Sequence, residues 1–259
     1  MLYKNLLVVS DKFNKFASNK NIITKSDLYD LLKADSLIYT KSQKITLIPG
    51  QGFSDRDIQD TKALFNRSKN SRYFDFSLWN CIPSRASKEL THKHNTENIL
   101  ISKPKRTTSN EFTSHLLIDE RSEMMADHQT GLHIQGMVLV EAARQLYLAI
   151  MEKFILCDYE ESLYFVFNNL SVDYCKFNFP LPSQLTAQII ELEKSSEKKK
   201  TYIMKIDIIQ CGSISASLSL NGTMMPNKVI LNIENRFAKQ SINSYLAGFE
   251  HSEKEVVHA

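Results

Sequence analysis

Glycine and proline are scarce in this chain, 7 and 6 among 259 residues, which excludes long flexible linkers and confines disorder to short turns and the C-terminal tail. The four cysteines, Cys81, Cys157, Cys175 and Cys211, have no C-x-x-C spacing and sit in apolar or strand-like sequence. Neither a zinc knuckle nor a disulfide framework is indicated, and a reducing compartment is expected. No window approaches the ~18 apolar residues of a membrane span, and the N-terminal apolar run soon turns polar, so the expected location is cytoplasmic. Concentrated basicity is missing as well. A net charge of +3 with scattered lysines argues against nucleic acid as a partner. Two local clusters, Lys103-Pro-Lys-Arg106 and Lys198-Lys-Lys200, read as solvated loop ends, with an acidic carrier protein as the other reading. What the chain does have is an ordinary globular composition, 42% hydrophobic with 14 Phe and 10 Tyr, enough to bury a full core.

The strongest local signal runs from Asp127 to Gln145, where a polar loop with two histidines leads into a segment with almost no polar face. Met137 to Val140, Ala142, Ala143 and Leu146 to Ile150 predict a helix from about His133 to Ile155, surrounded on most sides. Upstream, residues 1–85 alternate short apolar runs with amphipathic segments and read as a small α/β unit. Within it, Pro49-Gly-Gln-Gly52 closes a strand and Ser54 caps a helix. A glycine turn before a helix is also where phosphate binds, but no complete G-x-G-x-x-G or P-loop is present, so an ordinary strand-to-helix turn is the favoured reading. From about Glu97 the pattern changes to strands, near Asn98–Ser102, Ser114–Asp119, Leu163–Phe177, Leu185–Leu192, Thr201–Gln210 and Ser213–Gly222. A long apolar helix inside an arc of antiparallel strands is an α+β hotdog architecture, here over residues 90–225. Residues 226–259 form an appendage, with a strand-like Val229–Ile233, a helical Ser241–Phe249 and a frayed tail from Glu250. No internal repeat is found.

Inside the apolar helix, Glu141, Arg144 and Gln145 fall at i, i+3 and i+4 and share one stripe. Either Glu141 and Arg144 form an ion pair that only fixes the helix, or the stripe faces a cavity. Burial alone would favour protonated Glu141, suited to donating a proton at neutral pH, unless Arg144 pairs with it. Arg144 facing the cavity would hold a phosphate or carboxylate by bidentate hydrogen bonds. Gln145 would orient a ligand or satisfy a backbone group. Gly136, in the first helical turn, offers free N–H groups and close approach to a carbonyl, or is a packing glycine. His92, His94, His128 and His133 can be paired as metal ligands, but no third and fourth ligand follows at usual spacing, so no metal is expected. No nucleophile elbow is present, and no cofactor is indicated.

Gly136-Met-Val-Leu-Val-Glu-Ala-Ala-Arg-Gln145 resembles the helix start of hotdog 3-hydroxyacyl-carrier-protein dehydratases, G-V-L-x-x-E-A-x-A-Q with a histidine upstream. Here His128 holds that place, but the loop is one residue shorter and lacks the H-F-P-G proline. A closer resemblance is to the A-factor biosynthesis (AfsA-type) hotdog family, on Asp127-His128, His133, Glu141-Ala-Ala-Arg-Gln145 and the upstream Thr91-His-Lys-His-Asn-Thr-Glu97. It covers roughly residues 90–225, without the N-terminal unit and without a second hotdog repeat.

The resemblance implies an enzyme that moves a 3-oxoacyl group from an acyl-carrier protein or CoA thioester to a hydroxyl of a small phosphorylated acceptor, in signal (γ-butyrolactone) or secondary-metabolite biosynthesis. It implies a homodimer, with His128 of one copy approaching Glu141 of the other. His128 is then the general base, since imidazole titrates near neutrality, and Glu141 its catalytic partner. Gly136, Arg144, Gln145, His133 and Asp127 are the binding residues, Asp127 serving equally well as a loop salt bridge or cap. Two alternatives stay open: a 3-hydroxyacyl thioester dehydratase, and a non-catalytic acyl-binding module.

Overall fold

The computed structural model describes residues 4–35, 44–126, 130–156, 163–196 and 199–256. The N-terminal unit contains β1 (Asn5–Val9), α1 (Asn14–Ala17), β2 (Ile22–Thr24), α2 (Lys25–Lys33), β3 (Ile45–Pro49), α3 (Asp55–Arg67) and β4 (Phe74–Asp75). Its four strands are all parallel, in the order β2-β1-β3-β4. Helices α2 and α3 start on capping boxes, Thr24 with Asp27 and Ser54 with Asp57, each satisfying otherwise orphaned N–H groups. The core of this unit is Leu6, Val8, Leu28, Leu47, Phe53, Phe74 and Trp79.

Beyond it follow α4 (Lys88–Thr91), β5 (Lys105–Arg106), β6 (Glu111–His115), α5 (Glu123–Ala126), α6 (Gly136–Ile150), β7 (Leu163–Tyr174), β8 (Ser183–Ser196), β9 (Lys199–Gln210), β10 (Ser213–Pro226) and α7 (Asn227–Val256). The second sheet is antiparallel, in the order β5-β6-β8-β9-β10-β7, with β7 at one edge. Helix α6 lies on it, burying Val138, Leu139, Ala142, Ala143, Leu146 and Tyr147 against Phe112, Leu185, Tyr202, Met204, Ile206 and Leu218. This is the expected α+β hotdog with an α/β extension.

Several expectations are corrected. The central helix begins at Gly136 and ends at Ile150, followed by one wider π turn, Met151–Ile155. Asn98–Ser102 joins no ladder; only isolated bridges, Ile101 to Leu116 and Arg85 to Ser102, tie it to its neighbours. The strand expected to reach Asp119 stops at His115: the Leu116 and Leu117 N–H groups go to Ser183 and Leu100, and from Ile118 the backbone pairs with Gly52 of the N-terminal unit. Val229–Ile233 is helical, part of the 30-residue α7, which continues through Ser241–Phe249 to Val256. There Ile230 alone is buried while Leu231 is exposed, a pattern a two-residue repeat does not produce.

The two units are joined where parallel sheets usually bind ligands, beyond the carboxyl ends of their strands. The exit turn of β3 spends its N–H groups on backbone: Gly50 on Val8, Gln51 on Pro180 and Gly52 on Ile118, at 2.8, 3.1 and 3.1 Å. No N–H of this turn is left to cradle a phosphate. Gly52 sits at φ +103°, and a Cβ there would stand 1.9 Å from Ser10 Oγ. The buried Gln51 amide donates to the Leu116 carbonyl and accepts from the Ile118 N–H, both at 2.9 Å. Arg85, its side chain only 5% exposed, donates to the carbonyls of Ile99, Leu117 and Phe53 and to Asp55 Oδ1. Lys25 adds ion pairs to Asp57 and Glu120.

Replacing Arg85 by Met leaves three carbonyls without a donor and is expected to cost about 3–5 kcal/mol in a urea titration. Asp55→Asn, at a carboxylate 55% exposed, is expected to cost under about 1 kcal/mol.

Candidate active site

Helix α6 carries two separate groupings. The first is at its start, where a cavity of about 700 Å3 is lined by His133, Gln135, Gly136, Met137, Leu139, Tyr174, Phe177 and Asn178. Gln135 caps the helix without a side-chain hydrogen bond. The N–H groups of Gly136 and Met137 have no partner among the described residues. They are unspent donors at the positive end of a 15-residue helix. Gly136 also lets the Tyr174 ring lie close: a Cβ there would stand 2.7 Å from the far end of that ring, which would have to turn aside. The Nδ1 of His133 meets Thr130 Oγ1 at 3.2 Å, and its ring packs 4.9 Å from that of Phe177.

The second grouping surrounds Glu141. Arg144 grips the carboxylate with both prongs, Nε to Oε2 at 2.8 Å and Nη2 to Oε1 at 2.9 Å. Lys93 Nζ stands 2.8 Å from Oε1, and Gln145 Nε2 donates to the same oxygen at 3.0 Å. Gln145 is itself fully buried. Its Oε1 accepts from the Leu100 N–H at 2.8 Å and its Nε2 also donates to the Asn98 carbonyl. Lys93 is delivered by local backbone: His92 closes α4 in the left-handed conformation, φ +53°, while its ring reaches Glu152 at 3.0 Å.

Burial alone would raise the Glu141 pKa, but the donors from Arg144, Lys93 and Gln145 outweigh it and bring the group down to about 2. The expectation of a protonated Glu141 is therefore corrected. It is an anion at neutral pH, and the ion-pair alternative holds. The grouping still has net charge of one sign, two cations against one carboxylate. Among the described residues Arg144 and Lys93 keep unspent N–H groups, and they are 30% and 25% exposed. Such donors can hydrogen-bond an anion, whereas the ionised carboxylate has no proton to donate.

His133 and Gly136 thus share one cavity, whereas Glu141, Arg144 and Gln145 form a cluster that does not line it. Asp127 and His128 lie outside the described residues. Among the described residues no three His, Cys, Asp or Glu side chains converge as a metal site. Arg106 of the first basic cluster stacks on Phe112 and Phe154 and donates to the Phe154 carbonyl, a structural use; Lys198 of the second lies outside the described residues. Sequence reasoning missed Lys93 as the third partner of Glu141, and Tyr174 and Phe177 as cavity walls. The signal for Lys93 was its place in the His-Lys stretch before the first strand; Tyr174 and Phe177 carried none beyond being aromatic at a strand end.

Because the folded pKa of Glu141 is lowered from an ordinary 4.5 to about 2, its contribution to stability is complete above 4.5 and is lost as pH falls toward 2. Thermal melts at stepped pH should show that acid-side loss in the native chain and a flatter slope over the same window in Glu141→Gln.

Residues 80–226 match the A-factor biosynthesis hotdog domain, AfsA. No curated protein matches the chain. Among solved structures, a mutant thioesterase from Pseudomonas aeruginosa is 17% identical at a TM-score of 0.37, covering 49% of this chain and 81% of its own. A thioesterase from Haemophilus influenzae is 15% identical at 0.37, covering 59% and 92%. A conserved protein from Pseudomonas aeruginosa is 10% identical at 0.39, covering 54% and 100%. The matched segment spans β6, the central helix and β7 to β10, together with the Lys93 loop that reaches Glu141, so on fold and motif alike the chain belongs to the A-factor biosynthesis (AfsA) hotdog-domain family.

Proposed function

We propose that this protein acts on acyl thioesters, transferring a 3-oxoacyl group from a carrier protein or CoA to the hydroxyl of a small anionic acceptor, as the A-factor family name suggests. Membership of that family supports a thioester substrate. The observation that carries transfer over dehydration is the state of Glu141: an anion gripped by Arg144, Lys93 and Gln145 has no proton to give to a departing hydroxyl. The spare N–H groups of Arg144 and Lys93 suit an acceptor phosphate.

In this reading the thioester carbonyl accepts from the N–H groups of Gly136 and Met137, and the acyl chain lies along Leu139, Tyr174 and Phe177. The acceptor oxygen attacks the carbonyl carbon while His128 takes its proton. The C–S bond then breaks, and the proton returns to the departing thiolate. Asp127 precedes His128 in the sequence and His133 follows it by five residues.

The carbonyl site and the Glu141 cluster do not meet within one chain, so a second copy is needed to bring them together. Edge strand β7 suits that role: among the described residues one side of its backbone pairs with no other strand, and Tyr164, Phe167, Leu170 and Tyr174 are exposed along it.

Incubation with 3-oxoacyl thioesters and dihydroxyacetone phosphate should release thiol and yield the acylated acceptor by mass spectrometry. Lys93→Met should raise the acceptor KM about tenfold, the loss of one charge-assisted hydrogen bond, with kcat little changed. Thiol release without acylated acceptor would indicate a thioesterase. Water loss from a 3-hydroxyacyl thioester would indicate a dehydratase, and either result sinks the transfer reading.

A further inference from the structure

A second cavity, about 260 Å3, lies in the seam between the two units, and none of the candidate active-site residues lines it. Its walls are apolar and come from both sides: Ile48 from β3, Phe53 from the turn after it, Ile58 from α3, Leu78 and Ile82 from the connecting segment, and Ile118 from the stretch after β6. Its size is just below the ~300 Å3 at which pockets begin to hold drug-sized molecules.

The polar groups restrict what fits. Arg85 has five N–H donors. Four are spent, on Asp55 and on the carbonyls of Ile99, Leu117 and Phe53, leaving one on Nη2. Asp55, at 3.2 Å from Nε, cancels the guanidinium charge. Burial, and then the charge of Lys105, lower the pKa of His115, so this lining imidazole is neutral at neutral pH. An anion in the cavity faces Asp55 and a cation faces Arg85. An uncharged molecule with one acceptor meets neither penalty and satisfies the remaining donor.

We propose that the seam cavity binds a small uncharged aliphatic carbonyl compound, its oxygen accepting from Arg85 and its chain against the isoleucines and Phe53. Because the walls belong to both units, such a ligand binds only their assembled form and stabilises it by mass action.

Two cysteines report the two cavities separately: Cys81 lines the seam and Cys175 the cavity at the helix start. The full chain is labelled with a maleimide, alone and with methyl octanoate or octanoate, and each cysteine peptide is followed by mass spectrometry. Saturating methyl octanoate should slow labelling at Cys81 about fivefold, as expected for mostly occupied sites. Octanoate should slow it far less, whatever either compound does at Cys175. Filling the cavity with Ile58→Trp should abolish the ester's effect while the exposed Cys211 labels at its native rate as a control on folding. Leu78→Trp, at a 40% exposed position, repeats the test without loading the core. No protection at Cys81, equal protection by ester and carboxylate, or protection that survives both substitutions overturns the proposal.

Discussion

Everything in this molecule turns on backbone groups that the two units can satisfy only for one another. A parallel four-stranded sheet ends in open peptide groups, and so does the stretch of hotdog chain after β6. Gln51 and Arg85 close both sets at once, the amide reading one donor and one acceptor, the guanidinium collecting carbonyls from three segments. Burying an arginine is costly unless its N–H groups find acceptors, and here the acceptors come from both units. The N-terminal unit is therefore built into the hotdog and is not a module tethered to it. The glycine turn at the end of β3 gives its N–H groups to the protein's own backbone, which leaves none of them for a nucleotide phosphate.

The same economy governs the central helix. An apolar helix with one carboxylate must neutralise it, and Arg144 alone would do so. Adding Lys93 and the Gln145 amide does more: it fixes the carboxylate as an anion, anchors the helix to the Asn98–Leu100 backbone, and leaves cationic donors facing outward. The ion pair of the first alternative is formed, and it leaves outward the same cationic donors that the second alternative would use.

Legibility followed the range of the interactions. Helix α6 was readable because its apolar residues repeat locally, and the Ser54 cap because its partner is Asp57, three residues on. The long antiparallel strands β8 to β10 were readable by alternation. Lys93, Gln51 and Arg85 were not, since each acts on residues far along the chain and leaves no periodic trace. Val229–Ile233 misled in the opposite way: β-branched residues favour strands locally, but among these five Ile230 is the buried one, Val229 and Ile233 are half-buried at helical spacing, and the helix continues through them. The candidate site was half legible: the motif located Gly136, Glu141 and Arg144, the main partner of the carboxylate, but not the lysine that joins it from another part of the chain.

Gly136 and Tyr174 also set the shape of the cavity at the helix start. A Cβ at position 136 would stand 2.7 Å from the far end of the tyrosine ring, and that ring is 54% exposed. A side chain there would turn the ring outward, so the change would remodel the cavity wall and leave the core beneath it as it is.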